Sequence, residues 1–409
     1  MLFRSRDGVI LQIVSYCGKT TATLARFLRF LKTELLARRA TPKSTKLFIV
    51  IDGFAALRDE FSDPSDMDLW ANLMRAYAEG PAVGMHFMVS TNRAKNIPSA
   101  IADVTLQSWV YQLSDRYDYS TFGVRGTNIP MPVPGRCVNT RTLRQMHIAT
   151  PAVGVQRAIQ ALQKQYESYA PVADIIGLLP TEVYRSQLPA PDYGADRWFI
   201  PVGIAESTLQ PAGLELYPQE HALLAASPRS GKSTLLAAIA QQLLTERAKN
   251  PQNMLLPDLV IVCDQRSPLR TFAYGDYSCN ASQFALMADT LLNEGRDRPV
   301  LVLVDDAERI DDSAGLLQKI FKGTYEHIHV IAAGRAVDLR ANYSHWNKEM
   351  RKSRTGGLIQ PVLETDYDFF GSIPRRVPVA LGPGRGFIFN SGQREIVQLM
   401  RPDGDSSGV

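Results

Sequence analysis

The stretch from His221 to Thr234 constrains the fold more than any other part of the sequence. It reads His221-Ala222-Leu223-Leu224-Ala225-Ala226-Ser227-Pro228-Arg229-Ser230-Gly231-Lys232-Ser233-Thr234: an apolar run, a short turn-forming loop, then an amphipathic stretch beginning near Gly231. A strand, a tight loop and a helix in that order are the setting in which glycine, lysine and serine form a phosphate-binding loop. Backbone N–H groups of the loop and of the first helical turn point at phosphate oxygens, and the helix dipole favours their charge. Ser227, Pro228, Arg229, Ser230, Gly231, Lys232, Ser233 and Thr234 are the candidate nucleotide-binding residues, with Lys232 on the β and γ oxygens and the Ser233 hydroxyl on Mg²⁺. The implied ligands are a nucleoside triphosphate, in the first instance ATP, and Mg²⁺. Ala226 occupies the place of the first glycine in G-x-x-x-x-G-K-[ST]; if that place needs a positive φ, alanine costs it about 1 kcal/mol.

Downstream, Val300-Leu301-Val302-Leu303-Val304 ends in Asp305-Asp306. In this pattern Asp305 holds the Mg²⁺ shell, and Asp306 stands where related ATPases orient the attacking water, usually with a glutamate. The shorter aspartate sets its oxygens about one methylene back, which makes binding a safer expectation than fast hydrolysis. A solvated carboxylate pair closing a strand is the competing reading. Another apolar run, Asp258 to Asp264, lies between the two motifs in sequence, the order of the RecA-like, additional-strand class. Arg335 ends the next apolar run and is either a sensor of the γ-phosphate or a surface arginine. Asp305, Asp306 and Arg335 are thus the candidate catalytic residues, and Ser233 with Asp305 the candidate metal set.

An order of features recurs in the two halves of the chain. The first half runs Leu47-Phe48-Ile49-Val50-Ile51-Asp52, then His86 to Arg93, then Pro134-Gly135-Arg136; the second runs Val300 to Asp306, then His329 to Arg335, then Pro383-Gly384-Arg385-Gly386. The apolar runs lack polar alternation, as expected of parallel strands buried on both faces. Helical patterns separate them, at Thr21 to Arg39 and Leu69 to Glu79, then Ser233 to Arg247 and Ser282 to Asn293. The fold class expected is α/β: tandem modules with mainly parallel sheets flanked by helices, the first truncated or degenerate.

Residues 1–150 form the partial module without a P-loop, 151–195 a proline-rich linker around a helical stretch at Val155 to Tyr169, 196–400 the complete module, and 401–409 a disordered tail. The apparent second P-loop at Cys17-Gly18-Lys19-Thr20-Thr21 is rejected: Ile13 holds its first-glycine place, and its helix runs into the Leu47 to Ile51 strand with no strand between. Asp52 ends that strand as Asp305 ends its own, but Gly53 stands where a catalytic carboxylate would be.

With 409 residues, 45% hydrophobic and 21% charged, the composition excludes fibrous and wholly disordered classes, and a net charge of +4 leaves the partner open. Cys17, Cys137, Cys263 and Cys279 are too scattered for a zinc site or a disulfide framework. No apolar run approaches the ~18 residues of a membrane helix. The stretch Val9 to Val14 after Met1 to Arg6 faintly resembles a secretory signal, but Asp7 interrupts it and no cleavage site follows, so a buried strand is expected.

Together these residues resemble the FtsK/SpoIIIE-type ATPases and, within them, the EccC motor ATPases of type VII secretion. The similar segments are Phe48 to Arg58 in the first half, and Gly356-Gly357-Leu358-Ile359 through Phe370-Gly371 to Pro383-Gly384-Arg385-Gly386 in the second. The resemblance implies the last two ATPase modules of an EccC-like protein: an ATP-binding motor or substrate-recognition component of an ESX system. It further implies partners in small secreted helical hairpins read by a C-terminal signal and in a membrane-anchored EccC-like subunit, with homo- or hetero-oligomers. The implied location is cytoplasmic, at the inner face of the cell membrane. Two alternatives stay open: a DNA translocase, for which the cluster Lys348 to Arg354 could touch phosphates, and a non-catalytic nucleotide-binding adaptor. No winged-helix segment for reading DNA is recognisable.

Overall fold

The computed structural model describes residues 2–4, 10–12, 21–42, 46–92, 96–150, 152–165, 176–264, 267, 269–270, 277–293, 295–341, 346–352, 354–366, 368–371, 373, 377 and 380–403. The chain divides into two compact units, Met1–Ile176 and Gly177–Val409.

In the first unit Leu2–Arg4 (β1) pairs antiparallel with Ile10–Gln12 (β2). Thr21–Ala40 is helical because Ala25, Leu28, Leu31 and Leu35 recur at three- and four-residue intervals and are buried as one stripe. That stripe, with Leu73 and Ala76 of the helix Met67–Glu79, packs on Ile49 and Ile51 of Leu47–Ile51 (β3) and on Met85 of Met85–Val89 (β4). β3 and β4 are parallel, Leu47 opposite Met85. Burial on both faces, expected from the sequence, does not hold here: Phe48 and Val50 are 43% and 64% exposed. Side chains alternate across a strand, and the described helices cover one face of this pair. Trp109–Val110 (β5), Arg136–Asn139 (β6) and Gln145–His147 (β7) form a separate antiparallel sheet.

The second unit is built on one curled sheet. Its strands are Val183–Tyr184 (β8), Asp192–Tyr193 (β9), Trp198–Ala205 (β10), Pro211–Leu216 (β11), Ala222–Ala226 (β12), Asp258–Val262 (β13), Tyr277–Cys279 (β14), Val300–Val304 (β15), Ile328–Arg335 (β16), Gly356–Ile359 (β17), Arg385–Asn390 (β18) and Gln393–Arg401 (β19). They lie in the order β11-β10-β19-β18-β17-β12-β16-β15-β13-β14, with β8 on β19 and β9 on β10. From β17 to β14 the pairing is parallel, and there the double-sided burial holds. Leu224, Leu301 and Ile331 face a cluster with Leu235, Leu236 and Ile239 of the helix Lys232–Lys249, whereas Leu223, Val302 and Val330 face Leu316, Leu317 and Ile320. Every second side chain goes to each side, so a strand with no polar alternation is the one that can sit between two helical layers. The remaining strands, β17 to β11 by way of β18, β19 and β10, pair antiparallel.

In space β16 lies between the P-loop strand β12 and the acidic strand β15, and β13, which intervenes in sequence, lies beyond β15. Two organisational expectations change. The proline-rich stretch is partly sheet, since Val183 pairs with Met400 and Trp198 with Tyr193, and Pro189 accepts a 3.2 Å hydrogen bond from Gln242 Nε2. Residues 401–403, expected in a disordered tail, are ordered: Arg401 closes β19, and the Asp403 carboxylate accepts from Arg185 at 2.7 Å and from the Ser186 N–H at 2.9 Å. No described helix is long and apolar enough to cross a membrane.

Candidate functional site

β12 is wholly buried between β16 and β17, and its last residue, Ala226, lies opposite Arg335 on one side and Ile359 on the other. The chain then leaves the C-terminal edge of the parallel strands and must turn into a helix beginning at Lys232. The turn is closed by the Ser230 hydroxyl, which donates to the Ser227 carbonyl at 2.7 Å. Its left-handed residues are Arg229, φ 60, and Gly231, φ 97. A Cβ on Gly231 would meet nothing within 4 Å, so the glycine answers a backbone requirement and the loop opens outward. The conditional strain at Ala226 does not arise, because Ala226 is extended strand.

Lys232 is buried at the mouth of this loop, and among the described residues no carboxylate pairs with it. A dehydrated ammonium calls for an anion. One residue on, the Ser233 hydroxyl donates to both oxygens of Asp305, at 3.0 and 2.9 Å. Asp305 is 1% exposed, and a second hydroxyl, Ser267, donates to it at 2.6 Å. Ser267 is held in turn by the Leu269 N–H at 3.1 Å. A serine hydroxyl and a carboxylate converging beside a helix N-terminus form an oxygen donor set suited to a hard cation such as Mg²⁺.

Asp306 follows in a left-handed conformation, φ 47 and ψ 49, and starts the turn Ala307–Arg309. Within that turn Glu308 is almost fully buried; its Oε2 accepts the Arg335 N–H at 3.1 Å and its Oε1 is 3.5 Å from Arg335 Nε. Arg335 is also 3.8 Å from Asp338. The structure therefore brings Lys232, Ser233, Asp305, Asp306 and Arg335 to one edge of one sheet. It adds Ser267 and Glu308, which sequence reasoning missed. Ser267 had one usable signal, its place just past the end of an apolar strand; Glu308 had only its nearness to Asp306. The apparent loop at Cys17 to Thr20 lies outside the described residues, and Thr21 begins a helix.

No protein-family model matches the chain. The ESX-1 secretion system protein EccCb1 of Mycolicibacterium smegmatis is 27% identical over 229 residues, which is 52% of this chain and 37% of that protein. The chain thus spans a little over a third of the length of this curated relative. Among solved structures, EssC (ATPases 2 and 3) from Geobacillus thermodenitrificans superposes with a TM-score of 0.68 at 17% identity, covering 93% of this chain and 79% of that one. Thermomonospora curvata EccC (ATPases 2 and 3), solved in complex with a signal sequence peptide, superposes with a TM-score of 0.61 at 20% identity, covering 94% of this chain and 76% of that one. The likeness in fold extends over nearly the whole chain; the likeness in sequence covers half of it with EccCb1 and 90% of it, at 25% identity, with the ESX-4 secretion system protein EccC4 of Mycobacterium tuberculosis, 30% of whose length it matches, and the chain resembles the C-terminal ATPase modules of EccC- and EssC-type ESX secretion proteins.

Proposed function

We propose that the second unit binds ATP with Mg²⁺ and that the chain is an ATPase component of a type VII secretion system. The observation that carries the nucleotide reading is the convergence of the Ser233 hydroxyl and the Asp305 carboxylate, 2.9 Å apart, next to the buried Lys232, which no carboxylate among the described residues pairs. In this reading Ser227, Arg229 and Ser230 wrap the phosphates through backbone N–H groups, Lys232 neutralises the β and γ oxygens, and Ser233 and Asp305 would hold the Mg²⁺. When bound, the metal supplies Lewis-acid stabilisation of phosphoryl charge. Asp306 orients water at the γ-phosphate, and its left-handed backbone fixes where its short side chain starts. Arg335 extends from the same sheet edge as a sensor of the γ-phosphate.

The T. curvata EccC structure was solved with a signal sequence peptide, which supports a peptide signal as this chain's ligand; a small secreted helical protein as the bearer of that signal, and a membrane-anchored EccC-like subunit at the inner face of the membrane as partner, are carried by the family resemblance alone. Fluorescence anisotropy with a labelled C-terminal signal peptide and a labelled DNA duplex tests this. Peptide binding should change little between 50 and 200 mM salt. Phosphate-driven duplex binding would lose about three to five decades if six to ten contacts were made. Tight, salt-sensitive duplex binding without peptide binding replaces the secretion reading with DNA translocation.

A further inference from the structure

We propose that Glu308 is a positioning residue that holds Arg335 in reserve and so sets how strongly the site prefers a triphosphate over a diphosphate. The inference rests on the reading of the P-loop as an ATP site and deepens it. Glu308 sits on the turn directly after Asp305 and Asp306, with its side chain 4% exposed. A carboxylate so dehydrated depends on its few partners. Among the described residues both contacts are with Arg335: Oε2 accepts its backbone N–H at 3.1 Å, and Oε1, without a hydrogen bond among them, is ion-paired to Nε at 3.5 Å. The backbone makes room for this arrangement. A Cβ on Gly334 would come within 2.7 Å of Oε2, so a side chain there would expel the carboxylate.

Arg335 is 39% exposed and reaches its other carboxylate, Asp338, only at 3.8 Å. Its strand position opposite Ala226 starts the guanidinium beside the phosphate loop. A γ-phosphate there competes with Glu308 for the same cation. Moving the guanidinium strips Glu308 of its countercharge in a dehydrated place, and that cost opposes the transfer. A diphosphate has no γ-phosphate and does not recruit Arg335. The Glu308 charge therefore weakens triphosphate binding and leaves diphosphate binding alone, while its hydrogen bond to the Arg335 N–H ties the acidic turn to the tip of β16.

Glu308→Gln keeps the side-chain volume and the acceptor for the Arg335 N–H but removes the charge. In calorimetric titrations of the full chain, E308Q should bind Mg²⁺ with a non-hydrolysable ATP analogue roughly tenfold more tightly than the wild type, equivalent to about 1.4 kcal/mol, with Mg-ADP affinity unchanged. Adding Arg335→Ala should abolish the gain. Gly334→Ala, which displaces the carboxylate without altering any charge, should raise the ATP:ADP preference in the same direction, and it keeps the proposal testable if E308Q folds poorly. An unchanged or reduced preference in both variants, or a gain that survives loss of Arg335, overturns the assignment. Failure of the ATP reading has a separate signature: no nucleotide bound by the wild type, or an affinity unaffected by Lys232→Ala.

Discussion

The two units end an apolar strand in the same way and then diverge. In the first, Ile51 closes β3, Asp52 follows, and Gly53 turns left-handed at φ 79 and ψ 48 to start the helix Phe54–Glu60. In the second, Val304 closes β15, Asp305 follows, and Asp306 turns left-handed at φ 47 and ψ 49. Glycine adopts that geometry freely, whereas aspartate does so at a cost of about 1 kcal/mol. The aspartates before the turn differ more. Asp52 is exposed and accepts from the hydroxyl of Ser90, just past the neighbouring strand, which also accepts the Gly53 N–H at 3.0 Å. Asp305 is buried and accepts from Ser233 on the P-loop helix and from Ser267. On the proposed reading, a strand-end carboxylate becomes part of a nucleotide site when the first helical turn of a phosphate loop delivers a hydroxyl to it, as Ser233 does to Asp305.

The largest effect separating the units should be acid sensitivity. His221 and His329 are buried in the second unit, where the Val330 N–H donates to His221 Nδ1 at 3.2 Å and His329 Nδ1 meets the Glu220 carbonyl at 2.7 Å. Burial pushes His221 down to about 3 and His329 to about 4. Both folded values lie below the ordinary 6.5, so the unfolded chain takes up protons first as pH falls. Their stabilising effect is complete above about pH 6.5 and is lost progressively down through the folded values. Between pH 7 and 5 the pair should cost the second unit about 4 kcal/mol, read by denaturant unfolding followed through hydrogen exchange in each unit. An equal loss in the first unit would break the contrast.

Next in size, Lys232→Ala should weaken binding of a fluorescent ATP analogue by about a hundredfold, the upper end for one charge-assisted contact. Unchanged affinity would leave the second unit no more a nucleotide site than the first. Ala226→Gly should not improve binding, because the residue is extended. It should cost about 0.5–1 kcal/mol of stability from glycine's entropy in a strand, visible in the unfolding midpoint. The smallest effect is expected of Lys19→Ala, which should leave the calorimetric stoichiometry at about one nucleotide per chain if the Cys17 to Thr21 segment is no phosphate loop. Two sites, one of them lost on mutation, would instead give each unit its own.

Much of the site was legible because its chemistry is local. Gly231, Lys232 and Ser233 are consecutive and need one backbone turn, and Asp305 and Asp306 mark the end of an apolar strand that can be read without knowing its neighbours. Ala226 is free of strain for a local reason as well: the positive φ falls on Arg229 and Gly231. Ser267 reaches Asp305 across 38 residues of sequence, and Glu308 reaches Arg335 across 27. No spacing rule announces pairs so far apart.

The sequence by itself determined that strands and helices alternate, that β12 and β15 are apolar strands, and that a phosphate loop joins β12 to its helix. These follow from hydrophobic period and turn chemistry, which act over a few residues. Only the tertiary structure decided that β16 lies between β12 and β15 and that β8 and β9 belong to the second unit's sheet. It also decided that Phe48 and Val50 face outward while the equally apolar β15 is enclosed. Strand order and the covering of a face are set by which distant segments bury surface together, and an apolar run carries no mark of its neighbour.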